Sequence, residues 1–156
     1  MSPDGSSITF RRIPEEMRSG LSPTLARFAR KLQTTVAQGL PFDCLITTDS
    51  ELRRLNREFR GKDRVTDVLS FPAGHVRNGG GSQRLGDLAI SIVRARVQAR
   101  EFGHKLEQEI EILMLHGVLH LLGLDHETDA GRMARAEKRW RKRLGLPSGL
   151  IERMRL

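Results

Sequence analysis

His116, His120 and His126 are the residues of this chain best placed to do chemistry together, and their spacing is H-x3-H-x5-H. Residues four apart share one helix face, so the imidazoles of His116 and His120 can reach a single point. Gly123 follows, where a helix that ends in the left-handed conformation can turn sharply. Such a turn brings His126 back toward the first two rings. Three convergent imidazoles with a fourth position open describe a catalytic zinc site rather than a structural one. Between Ile112 and Leu124 the only polar side chains are those of His116 and His120. A helix apolar on nearly every side is a buried one, and this one is shorter than the roughly 20 apolar residues of a membrane span. An imidazole buried without a partner costs about 1–3 kcal/mol. A metal ion would satisfy both rings; the plainer alternative is a backbone carbonyl for each.

The elements that must position these rings follow an α/β (α+β) order in one domain over residues 1–156. A first strand is expected at Ile8–Ile13. A helix over Pro23–Gln38 follows, with Leu25, Phe28, Ala29, Leu32 and Val36 at helical spacing. Phe42–Thr47 reads as a second strand. Thr48 and Glu51 form a capping box for a helix at Asp49–Arg60 that buries Leu52, Leu55 and Phe59. Thr66–Phe71 is a third strand stopped by Pro72, and Leu85–Ser91 a fourth. Helices near Ile92–Phe102, Lys105–Leu122 and Asp129–Leu144 complete the chain. The run from Gly79 to Ser82 lacks the spacing of a phosphate-binding fingerprint and reads as a flexible connection.

Composition narrows the setting. The net charge of +8 suits a phosphate-rich partner. Cys44 is the sole cysteine, which excludes an intramolecular disulfide and favours a reducing compartment. It lies in an apolar run and reads as a core residue. The N-terminus carries no charged-then-apolar leader pattern. A cytoplasmic protein without a membrane segment is expected.

Two blocks resemble a known family. One is His116, Gly117, Leu119, His120, Leu121, Gly123, Asp125 and His126. The other is Asn56, Phe59, Arg60, Gly61, Lys62, Asp63, Thr66, Asp67, Val68, Leu69, Ser70, Phe71 and Pro72. A weaker third match runs from Gly86 to Ser91. In this order they are similar to the YbeY family of bacterial endoribonucleases, the rRNA maturation factors. The resemblance implies a mixed four-stranded sheet covered by about five to six helices. It implies one Zn2+, or another divalent transition metal, on His116, His120 and His126. It also implies single-strand-directed cleavage in maturation of the 16S rRNA 3′ end, and a part in ribosome quality control. Arg60 matches the arginine that the family places in a positively charged cleft near the metal. The implied partners are rRNA in the 30S ribosomal subunit, small-subunit ribosomal proteins and an Era-type GTPase.

The chemistry can also be argued from the residues. Zinc lowers the pKa of water toward about 7. Three neutral imidazoles leave the full double charge of the ion uncancelled, which favours an anionic group such as a phosphodiester. Arg60 can pair with a nonbridging phosphate oxygen through a forked hydrogen bond; alternatively it is a cation favoured by a helix C-terminus. Asp125 can orient a ligand imidazole or accept a proton, or it makes a local turn bond. Asp67, Ser70 and Thr66 either face the cleft or anchor a loop. His75 and His104 have no spacing relation to the triad and read as surface residues.

Two other functions compete. Zinc proteases share the three histidines and the glycine in H-E-x-x-H-x-x-G-x-x-H, but their catalytic Glu falls on Gly117, which cannot activate water. A non-catalytic rRNA-binding assembly factor would draw on the last long helix. There Met133, Ala136, Trp140 and Leu144 form an inner stripe, and Arg132, Arg135, Lys138, Arg139, Arg141, Lys142 and Arg143 crowd the remainder against one acid, Glu137. This helix is more basic than the resemblance leads one to expect. With six Phe, one Trp and no Tyr, no aromatic base-stacking surface is evident.

Overall fold

The computed structural model describes residues 5–62, 66–73 and 83–154. Its elements, in order, are β1 (Ser7–Phe10), α1 (Glu15–Thr34), β2 (Phe42–Thr47), α2 (Asp49–Arg60), β3 (Val68–Pro72), β4 (Gly86–Ser91), α3 (Ile92–Phe102), α4 (Leu106–Leu121), α5 (Arg132–Arg143) and α6 (Leu150–Met154). The strands form one mixed sheet in the order β1-β2-β4-β3. β1 and β2, and β2 and β4, run parallel, whereas β3 runs antiparallel to β4.

Side-chain alternation divides the sheet into two unequal faces. Cys44, Ile46, Leu88 and Ile90 point into the main core with α1 and α4. Leu45, Leu69, Ala89 and Phe71 point the other way, against Leu52 and Leu55 of α2. β3 is an edge strand, which is why it tolerates Pro72 opposite Gly86. Burial pushes the Cys44 thiol up to about 12, so it is an inert core residue.

α4 is the axis of the fold. It touches α1, α3, α5, α6 and strands β3 and β4, and Ile110, Leu113, Met114 and Val118 are fully buried. The all-round apolar pattern read from the sequence is thus the signature of a central helix. Two glycines shape its surroundings. Gly123 (φ +94) ends the helix and passes the chain back over itself, with Leu124 N–H donating to Leu119 O at 3.2 Å. Gly86 (φ +145) lets β4 pass under β3 and α4, because a Cβ there would lie 2.4 Å from Phe71 O and 2.9 Å from Leu121 Cδ2.

Several bounds differ from expectation for physical reasons. β1 is shorter than expected and ends at Phe10. α1 begins at Glu15, so Pro23 lies inside it. Pro23 is exposed, while Leu21 and Leu25 on either side are buried. Their burial carries the helix through a proline that costs about 3 kcal/mol. α5 begins at Arg132 rather than Asp129, because the Asp129 carboxylate is occupied by the N–H groups of Asp125, Gly131 and Met133. Only half of the capping box exists: Thr48 accepts from the Glu51 N–H, but the Glu51 carboxylate pairs with Arg11 and Arg54. Phe59 is not buried; it is 66% exposed and meets Phe71 edge-on at 5.9 Å. α6 brings the helices among the described residues to six, within the five to six expected, although no position was expected for it. The expected loop around Gly74–Gln83, and His75 within it, falls outside the described residues except for Gln83.

One core-flanking acid gives a pH-dependent signature. Burial first, and Glu107 one turn away second, push the Glu111 carboxyl up to about 7, with Lys31 of α1 opposing. A raised acid favours the folded state only while protonated, so this contribution is present below about pH 4.3 and is lost as pH rises toward 7. Glu111→Gln is therefore expected to raise the thermal midpoint at pH 8 by a few degrees, about 2–4 °C per kcal/mol recovered, and to match the parent at pH 4. Melting curves at the two pH values check this; an equal shift at both would exclude titration as the cause.

Candidate metal centre

The C-terminal half of α4 supplies two rings and the turn after Gly123 supplies the third. Ring centroids lie 4.8 Å apart for His116 and His120, 5.9 Å for His116 and His126, and 6.1 Å for His120 and His126. One nitrogen of each ring can be chosen so that all lie within 4.8 Å of one another. Such a group could hold a metal ion, as the spacing predicts. His126 Nδ1 supplies the test of fit. It is buried and has no hydrogen-bond partner, although a ring nitrogen in an ordinary core has one.

The other rings are prepared in different ways. His116 is 5% exposed, and its Nδ1 lies 2.7 Å from Glu137 Oε2. An ionised carboxylate only accepts, so Nδ1 carries the proton and Nε2 keeps its lone pair free for a ligand. The second oxygen of Glu137 accepts the Ile151 N–H at 2.7 Å. Glu137 thus ties α5, α6 and the triad together from a fully buried position. Burial holds the His120 imidazole below its ordinary pKa and His116 adds to the effect, while a hydrogen bond to the Leu124 backbone and the Asp125 carboxylate oppose it. A neutral imidazole is the ligating form.

Asp125 was expected to orient a ligand ring, to accept a proton or to make a turn bond. Its Oδ1 accepts the Glu127 N–H at 3.1 Å, the turn bond, and Glu137 is the acid that orients a ring. Glu137 stood out in the sequence only as the lone acid of this basic helix and was given no role at the site, although its place on the same stripe as Met133, Ala136 and Trp140 was a signal that it faces inward. Asp67 accepts from Gln98 Nε2 and so fastens the start of β3 to α3. Ser70 Oγ donates to Gly117 O at 3.2 Å, clamping β3 to the ligand helix. Arg60 sits exposed at the end of α2, without a described hydrogen bond or ion pair. His104 is not a surface residue: its side chain is 10% exposed and its Nδ1 lies 3.3 Å from Glu109 Oε1.

Gly117 occupies the place of the protease Glu. A Cβ there would lie 2.6 Å from Leu88 Cδ2 in the packed core, so the backbone leaves no room for a side chain, let alone a carboxylate facing the metal.

Comparison with known proteins identifies the family. The sequence profile described as Endoribonuclease YbeY matches residues 8–145. The chain is 68% identical over 153 residues to Endoribonuclease YbeY of Solibacter usitatus (strain Ellin6076), covering 98% of this chain and 97% of that one. It is 40% identical over 123 residues to Endoribonuclease YbeY of Helicobacter pylori (strain Shi470), covering 79% of this chain and 85% of that one. The solution structure of TM1509 from Thermotoga maritima superposes with a TM-score of 0.51 at 25% identity, covering 86% of this chain and 85% of the other. The profile spans β2, the ligand helix, the turn that carries His126 and the helix that carries Glu137, and on that match the chain belongs to the YbeY family of endoribonucleases.

Proposed function

We propose that this protein, as a single domain over residues 1–156, is a metal-dependent endoribonuclease that cuts single-stranded RNA in maturation of the 16S rRNA 3′ end and in ribosome quality control. The observation that carries this reading is the convergence of His116, His120 and His126, with Glu137 fixing one ring and His126 Nδ1 left unpaired. Zn2+ or another divalent transition metal, when bound, would supply a Lewis acid and a water whose pKa is lowered toward about 7. The chain's own groups do the rest. Three neutral ligands leave the ion's charge for an anionic phosphodiester. Arg60 is the group that pairs with a nonbridging phosphate oxygen, and this contact strengthens as negative charge builds up in the transition state. Asp125 shapes the turn that presents His126 and biases the charge at His120.

The partners this reading implies are rRNA within the 30S subunit, small-subunit ribosomal proteins and an Era-type GTPase, in the cytoplasm. No helix among the described residues is long and apolar enough to cross a membrane. The deciding experiment incubates the protein with a structured rRNA fragment and with casein, each with and without chelator. Chelator-sensitive RNA products with intact casein are expected. Cut casein would return the protease reading, and RNA bound but never cut would leave a binding factor.

Arg60→Glu is expected to keep the bound metal and to slow cleavage by roughly 10²- to 10³-fold, the usual range for losing one transition-state contact. Metal content and single-turnover rates measured side by side check it. Unchanged turnover would assign Arg60 to the helix dipole alone.

A further inference from the structure

We propose that the groove between α5 and the turn at Leu124 is a second RNA subsite, in which Arg132, Arg135 and Arg139 grip backbone phosphates of the strand that reaches the metal centre. This rests on the endoribonuclease reading above and adds to it a site outside the triad.

The three arginines are spaced i, i+3 and i+7 and so form one row on α5. With Leu124 and Ala136 they line a cavity of about 280 Å³. The floor of the groove adjoins the candidate metal centre: Leu124 lies in the turn between His120 and His126, and its N–H donates to Leu119 O in the chain reversal that presents His126. A strand whose reacting phosphate lies at the triad has this row as its next cationic surface along α5.

The row is available to a ligand. All three arginines are exposed. Neither Arg132 nor Arg139 has a side-chain hydrogen bond or ion pair among the described residues, and Arg135 makes only a 3.3 Å bond to Ala130 O. The acid of their own helix cannot reach them, because Glu137 is buried on His116 and the Ile151 N–H. Arg141 pairs with Glu152 of α6. Of the acids in the preceding turn, Asp129 takes three backbone N–H groups and Asp125 takes one, and the exposed Glu127 forms no ion pair with the row among the described residues. Two guanidinium forks without protein partners and a third with one long backbone bond, set around one concavity, match the geometry of phosphodiester oxygens.

The same facts speak against a lipid surface. A helix that lies in a membrane interface inserts an apolar face. The apolar stripe of α5 is spent on the core, with Met133 fully buried and Ala136 8% exposed.

The test compares two variants of equal charge loss, Arg132→Gln/Arg139→Gln and Arg27→Gln/Arg30→Gln, the second pair lying exposed on α1. Binding of a fluorescent single-stranded 2′-O-methyl oligoribonucleotide to the zinc-loaded proteins is followed from about 50 to 200 mM salt. The groove variant is expected to bind roughly tenfold more weakly at the lowest salt. Its plot of log affinity against log salt is expected to be shallower by about 1.4, or 0.7 for each of two lost contacts. The α1 variant should stay near the parent. Equal losses in both variants, no loss in either, or loss of zinc by the groove variant would each overturn the subsite. Binding of phosphatidylglycerol vesicles that the groove variant alone loses, with RNA affinity unchanged, would also overturn it. Failure of the parent protein to cut unmodified RNA would instead count against the endoribonuclease reading itself.

Discussion

Glu137→Gln is expected to weaken metal affinity by about 10- to 100-fold, the range typical of an acid that orients a ligand histidine. Two donors meet at this side chain, His116 Nδ1–H and the Ile151 N–H, each 2.7 Å from a carboxylate oxygen. Glutamine has one acceptor oxygen, so one donor must lose its partner or face an NH2 group. If His116 loses, its ring is free to rotate or to move its proton to the nitrogen needed for the metal. If Ile151 loses, a buried N–H is left unpaired at a cost of about 1–3 kcal/mol. Glu137→Ala should be worse on both counts, and Gly149 shows how tightly the carboxylate is enclosed: a Cβ there would lie 2.7 Å from Glu137 Oε1. Competition with a chromogenic chelator measures the affinity, and nitrogen NMR of the His116 ring in the metal-free protein reads the tautomer. Parent-like affinity together with an unchanged tautomer would remove Glu137 from the site and leave it a packing residue.

The second large effect concerns stability. Glu109 is fully buried in α4 and binds both terminal nitrogens of Arg153 of α6, with the Nη1 contact at 2.9 Å. The guanidinium also lies 4.5 Å from the centroid of the Phe102 ring. Removing one partner strands the other charge in the core. Arg153→Met should therefore cost about 3–5 kcal/mol, whereas Glu109→Leu/Arg153→Met should recover part of it, less what His104 loses when its Glu109 partner goes. Urea denaturation of the two single variants and the double variant, with comparison of midpoints and slopes, tests this. A cost below about 1 kcal/mol for Arg153→Met would mean that the pair behaves as an exposed one. The bridge has a functional side as well: α6 brings the Ile151 N–H to Glu137, so the same short helix that closes the core also supports His116.

Much of the site could be read before folding. The H-x3-H-x5-H spacing and Gly123 specify a convergence that local geometry alone produces, one helix turn plus one chain reversal. β2, α2 and α3 have the bounds expected of them, because each has a sharp local stop: Thr48 before α2, Ser91 capping α3 and Gly103 ending it. Where the reading failed, a long-range contact overrode a local rule. Pro23 should begin a helix, yet burial of Leu21 on one side and Leu25 on the other runs α1 through it. Phe59 has core chemistry, yet α2 covers only part of its sheet face and leaves the ring at the edge. Glu137 is 21 residues beyond His116, so no helix periodicity connects them; only the packing of α5 on α4 does. α6 is five residues long, too short to declare itself by pattern, and it exists because Ile151 is buried and Arg153 has Glu109 to meet.

The central claim, that three imidazoles and not the basic surface make this an enzyme, is tested most directly by elemental analysis of the purified protein beside its His116→Ala variant, with RNA cleavage followed on the same samples. About one divalent transition metal per chain in the parent, none in the variant, and cleavage by the parent only are the expected results. A parent without metal, or a metal-free variant that cuts RNA at the parental rate, would contradict the account.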